Sequence, residues 1–202
     1  AACVMLSSVF LLTGCRAVPE TEFYDISCRP EGPIARSHRI PASVTVRPFG
    51  AVEAYSQPEI AYRSDLYRLQ YDHYRKWVSS PGSLVGGEFA QYLRASGVFE
   101  TVVHDSFPAR TQYQVFGRVS DFYELNEGDS RYAVLSLEIT LTDHNEKPLF
   151  SVNSRQSVEA PETADLRGLA QAMSRAIGNA FEEFVAEARR RLPAGKDGEG
   201  NE

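Results

Sequence analysis

The chain has 202 residues, 43% hydrophobic and 24% charged, with 21 Lys and Arg against 27 Asp and Glu for a formal net charge of −6. That length and balance suit one folded domain. They exclude collagen-like and low-complexity chains, and no run reaches the roughly 20 apolar residues that a membrane-spanning helix needs. The acidic balance is also wrong for neutralising phosphates, so nucleic acid is not an expected partner.

The chain opens on Cys3-Val4-Met5-Leu6-Ser7-Ser8-Val9-Phe10-Leu11-Leu12-Thr13-Gly14, an uncharged and largely apolar stretch. It has the length of the hydrophobic region of a secretory signal, too short to cross a bilayer and stay there. No positive start or initiator Met precedes it, which reads as a sequence beginning inside the signal. Leu12-Thr13-Gly14-Cys15 then resembles a bacterial lipobox. In such signals the cysteine thiol receives a diacylglyceryl group and cleavage falls between Gly14 and Cys15, leaving Cys15 as the acylated first residue. The chain turns polar at once through Arg16-Ala17-Val18-Pro19-Glu20, and Pro19 interrupts any strand that would bury Cys15 instead. No aspartate of the kind that resembles an inner-membrane retention signal follows Cys15, so the expected address is the periplasmic face of the outer membrane. Of the three cysteines, Cys3 goes with the signal and Cys15 is acylated, leaving Cys28 without an intrachain partner and expected to be shielded or paired between chains.

Residues 1–14 are thus the expected signal peptide, 15–22 a lipidated tether, 23–192 the folded domain and 193–202 a charged, glycine-rich tail. In the domain, Phe23 to Ser27 reads as a first strand, followed by a turn-rich stretch with Pro30, Gly32 and Pro33. Ser43 to Phe49 is β-branched and alternating, a second strand. Glu59–Arg63 and Leu66–Tyr74 are two further extended runs joined at Ser64-Asp65, the second placing Tyr67, Leu69, Tyr71 and His73 on one face. Ser80-Pro81-Gly82 starts a helix in which Ser80 is placed to accept from first-turn amides and Pro81 suits the first helical position; Gly97 suits its left-handed end. Val98–Val103 is the next strand.

Residues 113–122 and 133–141 both alternate with period two, around a turn at Asn126-Glu127-Gly128-Asp129. A second turn at Asp143 to Lys147 leads into Leu149–Val158, giving three antiparallel strands joined by hairpins, each with a buried and a wetter face. From Asp165 to Leu192 one apolar stripe steps by three and four through Leu166, Leu169, Met173, Ile177, Phe181, Phe184, Ala188 and Leu192, a long helix whose stripe reads first as core. The expected fold is α/β of the α+β kind: a single-domain sandwich in which a mixed, largely antiparallel sheet is packed by two main helices.

The search for reactive chemistry is negative. His38, His73, His104 and His144 are scattered, with no zinc-ligand spacing among His and Cys, so no metal or cofactor is expected. Asp143-His144 lies in a turn, where Asp is favoured for backbone reasons. No serine has the flanks of a nucleophile elbow, and Gly86-Gly87 lacks the lysine and hydroxyl of a phosphate loop. The densest aromatic cluster is Tyr62, Tyr67, Tyr71, Tyr74 and Trp77. It reads either as cross-strand packing, with Trp77 wedged against the following helix, or as a surface for a lipid or partner, carried by Tyr67, Tyr71, Tyr74 and Trp77.

The order of these features carries a resemblance. A lipobox, Tyr62-Arg63 and the strand through Tyr71, Arg75-Lys76-Trp77, Ser80-Pro81-Gly82 opening a helix that ends Leu93-Arg94-Ala95-Ser96-Gly97-Val98-Phe99, then Gly117-Arg118-Val119-Ser120-Asp121-Phe122 and Leu141-Thr142-Asp143, is similar to the ABC-type transport auxiliary lipoproteins of the PqiC/YmbA type. The likeness covers Phe23 to Arg191. It implies a non-enzymatic periplasmic lipoprotein held at a membrane by its lipid anchor. It also implies work beside an MCE-domain protein and an inner-membrane ABC permease and ATPase that move lipids or other hydrophobic molecules between the membranes. Related members form rings, so a homo-oligomeric ring is a further implication. A different class shares the anchor: an envelope-assembly or structural lipoprotein that binds outer-membrane proteins or peptidoglycan. A lipid-anchored hydrolase lacks its nucleophile.

Overall fold

The structure, a computed structural model, describes residues 19–30, 32, 39–104, 110–162 and 165–193. The expected signal peptide with Gly14, the acylation site Cys15, Pro33, and the tail beyond Pro193 lie outside the described residues. The elements in chain order are β1 (Glu22–Tyr24), β2 (Ile40–Val46), β3 (Gly50–Ala51), a 3-10 turn at Glu53–Tyr55, β4 (Glu59–Arg63), β5 (Gln70–Trp77), α1 (Pro81–Ser96), β6 (Phe99–His104), β7 (Tyr113–Glu127), β8 (Ser130–Asp143), β9 (Pro148–Glu159) and α2 (Arg167–Arg191).

All nine strands join one curled, mixed sheet with the helices packed on it. Its spine is β7. One edge of β7 pairs antiparallel with β8 along its whole length, and β8 pairs antiparallel with β9, which gives the meander that the period-two pattern predicts. The other edge accepts three short parallel partners in succession: β2 at Tyr113–Val115, β3 at Arg118–Val119 and β4 at Glu124–Leu125. β6 continues the sheet beside β2, while β5 and then β1 continue it beside β4. The long ladders are antiparallel and the short ones, β4–β5 aside, are parallel.

Buried Val115 and Val119 of β7 with Leu135, Leu137, Ile139 and Leu141 of β8 form the inner face of this part of the sheet. α2 covers β8 and β9, and α1 covers β6, β7 and β3. The α2 stripe from Leu166 to Ala188 is core, as its spacing predicts, with Leu192 half-buried beside it. Phe89 of α1 is the aromatic hub, with ring centroids 4.8 Å from Phe181, 5.1 Å from Phe184 and 5.5 Å from Phe49.

Phe49 occupies a socket made of glycines. A Cβ on Gly117 would stand 2.2 Å from its ring, one on Gly82 would stand 2.6 Å from its carbonyl oxygen, and one on Gly86 would stand 3.3 Å from its side chain. Helix α1 therefore lies against the segment between β2 and β3 at a distance that any larger residue would forbid.

The structure corrects several sequence expectations. The first strand is shorter, Glu22–Tyr24, and its partner is β5 in parallel. The Leu66–Tyr74 run is not one strand: residues 64–69 form a loop and β5 starts at Gln70. Between Glu59↔Lys76 and Ala61↔Tyr71 the β4–β5 register slips, so Tyr67, Leu69, Tyr71 and His73 do not share a regular face. The slip is held by Asp72, whose Oδ1 accepts from the amides of Tyr74 and Arg75, a local competitor to the ladder. In β7 an extra residue at Ser120 shifts the parity, turning Phe122 and Glu124 inward where strict alternation would have put Asp121. At the start of α1, Pro81 is in the first turn, but the Ser80 hydroxyl donates to Ser83 Oγ and caps no amide. The other end is as expected: Gly97 takes φ 65° and its amide donates to the Leu93 carbonyl. Trp77 is buried, and its ring meets Phe122 of β7 edge-on at 5.3 Å.

Trp77→Ala is expected to cost about 3–5 kcal/mol, as a large aromatic removed from a filled core does. Gly117→Ala and Gly82→Ala are each expected to cost about 1–3 kcal/mol by overfilling the Phe49 socket. Chemical denaturation midpoints at a common slope check all three.

Candidate functional site

The chemistry-bearing part of the described chain is the sheet margin built from β1, β5 and the β4–β5 loop. The exposed large apolar side chains are Phe23, Leu66, Tyr67, Tyr71, Tyr74, Val78 and Leu149, and all but Leu149 lie on this margin. Its shape follows from local hydrogen bonds. Asp65 Oδ1 accepts from the amides of Tyr67 and Arg68, and Arg63 Nη1 donates to the Leu66 carbonyl at 3.1 Å. The Arg63 guanidinium itself rests 5.1 Å over the Tyr123 ring, which stacks on Tyr55. These contacts fold the loop into a supported tip and turn Leu66 and Tyr67 outward; Tyr67 is 93% exposed.

The four aromatic residues nominated from the sequence separate. Tyr67 is at the tip. Tyr71 and Tyr74 are partly exposed on β5, and the Tyr71 hydroxyl donates to the Ala54 carbonyl. Trp77, only 2% exposed, belongs to the core and not to any surface. Phe23 and Val78 complete the margin and were missed: one sits in a three-residue edge strand and the other just past β5, and neither has a periodic neighbour to flag it.

Beside β1 an open groove of about 840 Å³ runs to the first turns of α2, lined among others by Phe23, Tyr24, Asp25, Arg167, Gln171 and Arg175. A smaller, polar cavity of about 300 Å³ lies under β4 and β5, where Asp72, Arg75, Glu124, Asn126 and Arg131 converge. Burial opposes ionisation of Asp72, but the Arg75 guanidinium, at 2.6 Å, and the amides of Tyr74 and Arg75 outweigh it and hold the carboxyl below its usual range. Burial likewise acts on Glu124, and there it wins: its carboxyl is pushed above the usual range despite Arg131, Arg75 and a hydrogen bond with Asn126.

Cys28 and Asp143 have structural roles. Cys28 is buried, its amide donates to Glu88 Oε2 and its thiol to the Ser174 carbonyl, and burial with the nearby Glu88 pushes the thiol up to about 12. This is the shielding expected of a cysteine without an intrachain partner. Asp143 Oδ1 accepts from the amides of Asn145 and Lys147, so the Asp143-His144 pair is a turn device. Among the described residues no group of three or more His, Cys, Asp or Glu is placed to hold a metal ion, and no helix is long and apolar enough to cross a membrane.

The family described as ABC-type transport auxiliary lipoprotein component matches residues 24–185, from β1 to the last turns of α2. The chain belongs to that family. This is a family of transport auxiliary lipoproteins and not of enzymes. Among solved structures, the chain is similar to a crystal structure of a Xanthomonas campestris protein at 18% identity, covering 85% of this chain and 96% of that one with a TM-score of 0.74. It is also similar to a protein described only as uncharacterized, at 13% identity, covering 85% and 98% with a TM-score of 0.56. Both share its fold. No curated protein sequence matches the chain.

Glu124→Gln is expected to stabilise the fold at neutral pH. Because the folded-state carboxyl titrates above the unfolded one, its stabilising contribution is full in acid and is lost as pH rises through the folded value. The gain from the neutral isostere should therefore grow as pH rises through the folded value and vanish well below about pH 4, where glutamate is protonated in both states. Denaturation midpoints of the two proteins across that range test the sign.

Proposed function

We propose that this chain is a lipid-anchored periplasmic adaptor of an ABC transport system, acylated at Cys15 and held at the periplasmic face of the outer membrane. It works there beside an MCE-domain protein and an inner-membrane permease and ATPase, in moving lipids or other hydrophobic molecules between the membranes. The observation that carries the reading is the family match from residue 24 onward, immediately after a lipobox ending at Cys15 and a short polar stretch. Several acyl chains on one sulfur fix position strongly, since each buried CH₂ contributes about 0.8 kcal/mol and a single chain is marginal. With the domain held at the bilayer, transport needs from it only grip and placement. The exposed aromatic and apolar margin of β1, β5 and the β4–β5 tip supports that role, with Tyr67, Tyr71 and Tyr74 the nominated contact residues. Several copies arranged as a ring around the partner belong to the same reading.

Mild crosslinking in native membranes, followed by isolation of the full chain, is expected to recover an MCE-domain protein or a permease component. Recovery of peptidoglycan or outer-membrane proteins alone would replace the transport reading with an envelope-assembly one. Cys15→Ala is expected to leave an unacylated precursor with its signal uncleaved; metabolic acyl labelling that persists in this variant would place the anchor elsewhere.

A further inference from the structure

We propose that the β4–β5 tip, with Leu66 and Tyr67 foremost, rests in the interfacial region of the same phospholipid bilayer that holds the anchor, so that the domain stands on the membrane in one orientation and does not swing freely on its tether. The proposal rests on acylation at Cys15 and adds to it a second, non-covalent contact.

The direction of β1 is the first argument. β1 pairs with β5 in parallel, Glu22 opposite Arg75 and Tyr24 opposite Trp77, so the chain upstream of Glu22 enters from the end of β5 that begins at Gln70, next to the tip. The tether and the tip thus leave the sheet at the same end. Reach is the second argument. From Glu22 to Cys15 the chain has seven residues, at most about 25 Å. From the level of Arg75 to Gln70 is five residues of strand, at most about 17 Å and less across the Asp72 irregularity. Acyl chains on Cys15 can be in the bilayer while the tip touches it, and a longer tether would not force the two together.

The chemistry of the tip is the third argument. Leu66 is 76% exposed and Tyr67 93%, on a loop whose Tyr67 and Arg68 amides are held by Asp65 and whose Leu66 carbonyl is held by Arg63. An aliphatic side chain beside a tyrosine, one apolar and one with a polar end, suits the boundary between headgroups and acyl chains. Charge does not drive the contact. Arg68 faces Asp65 at 3.6 Å, and the β7–β8 turn at the same end of the sheet adds exposed Glu127 and Asp129. Binding is therefore expected not to be strengthened by anionic lipid or weakened by salt. Because the tether supplies a high local concentration, the tip's own affinity for lipid need only be weak.

The test uses the full, acylated chain reconstituted into phosphatidylethanolamine–phosphatidylcholine vesicles with brominated acyl chains, comparing Tyr67→Trp with Leu149→Trp. Leu149 is the exposed apolar residue at the opposite corner of the sheet, at the start of β9, and Trp77 is buried in both proteins. Tyr67→Trp should show blue-shifted emission and loss of intensity to the bromines, not weakened by salt, while Leu149→Trp shows neither. Equal behaviour of the two positions would overturn the proposal. So would a Trp at 67 that stays water-exposed on vesicles but becomes protected in the native membrane complex, which would give the tip to a protein partner. Mass measurement of the N-terminus separates the two readings: a lipid-free Cys15 sinks the anchor, whereas an acylated Cys15 with an unquenched tip sinks only this contact.

Discussion

The architecture depends on one strand having two unlike edges. β7 offers β8 an unbroken antiparallel ladder, and it offers the rest of the chain three separate parallel docking sites, for β2, β3 and β4. Short parallel ladders are weak on their own, so they need help from packing. Phe49 supplies it where the chain passes from β2 to β3. Its ring fills the space left by Gly82, Gly86 and Gly117 and meets Phe89, which in turn meets Phe181 and Phe184 of α2. One side chain thus links a two-residue strand to both helices, and the close approach that the glycines permit fixes the height of α1 over the sheet.

That arrangement explains what the sequence revealed and what it concealed. Elements whose partners are adjacent in the chain were legible: the β7–β8–β9 meander through its period-two pattern and turns, α1 through Pro81 and Gly97, α2 through its stripe. What depends on distant pairing was not. Nothing in Phe23 or its neighbours announces a parallel partner more than fifty residues on, and β3 is too short to have a pattern. Two misreadings have a common cause. At Ser120 one extra residue, and at Asp72 a side chain that captures two amides, shift the alternation by breaking the ladder, and each decided which aromatic residue faced inward. Trp77 and Tyr67 have the same cluster-forming credentials in the sequence; Trp77 ends β5 in the core, whereas Tyr67 sits in the loop before it, held outward by Asp65 and Arg63.

The binding margin is the other product of those irregularities. A regular β4–β5 hairpin would alternate its tyrosines in and out; the Asp72 slip instead leaves Tyr71 and Tyr74 both partly exposed, and the Asp65 and Arg63 contacts push Leu66 and Tyr67 past the end of the sheet. Leaving apolar area in water gives up burial free energy, about 25 cal/mol per Å². Here the cost is concentrated on one margin, while the opposite corner exposes only Leu149 among the large apolar side chains of the described residues. The polar network beneath the margin is expensive in another way, since burial there disfavours the charged form of Glu124.

A domain that acts by position needs its contact surface oriented as well as held, and an acyl anchor alone does not orient. If Cys15 is acylated as proposed, that anchor by itself sets where the domain is held and not which face it turns to a partner. With the tip seated in the bilayer as proposed, two points of contact at one end of the sheet would leave rotation about a single axis. The parallel pairing of β1 with β5, three residues long, fits that proposal by its direction: the chain enters β1 from the end of the sheet that carries the tip. An antiparallel β1 at the same edge would bury similar area but send the tether off toward Trp77, and the anchor and the tip would pull the domain toward opposite ends.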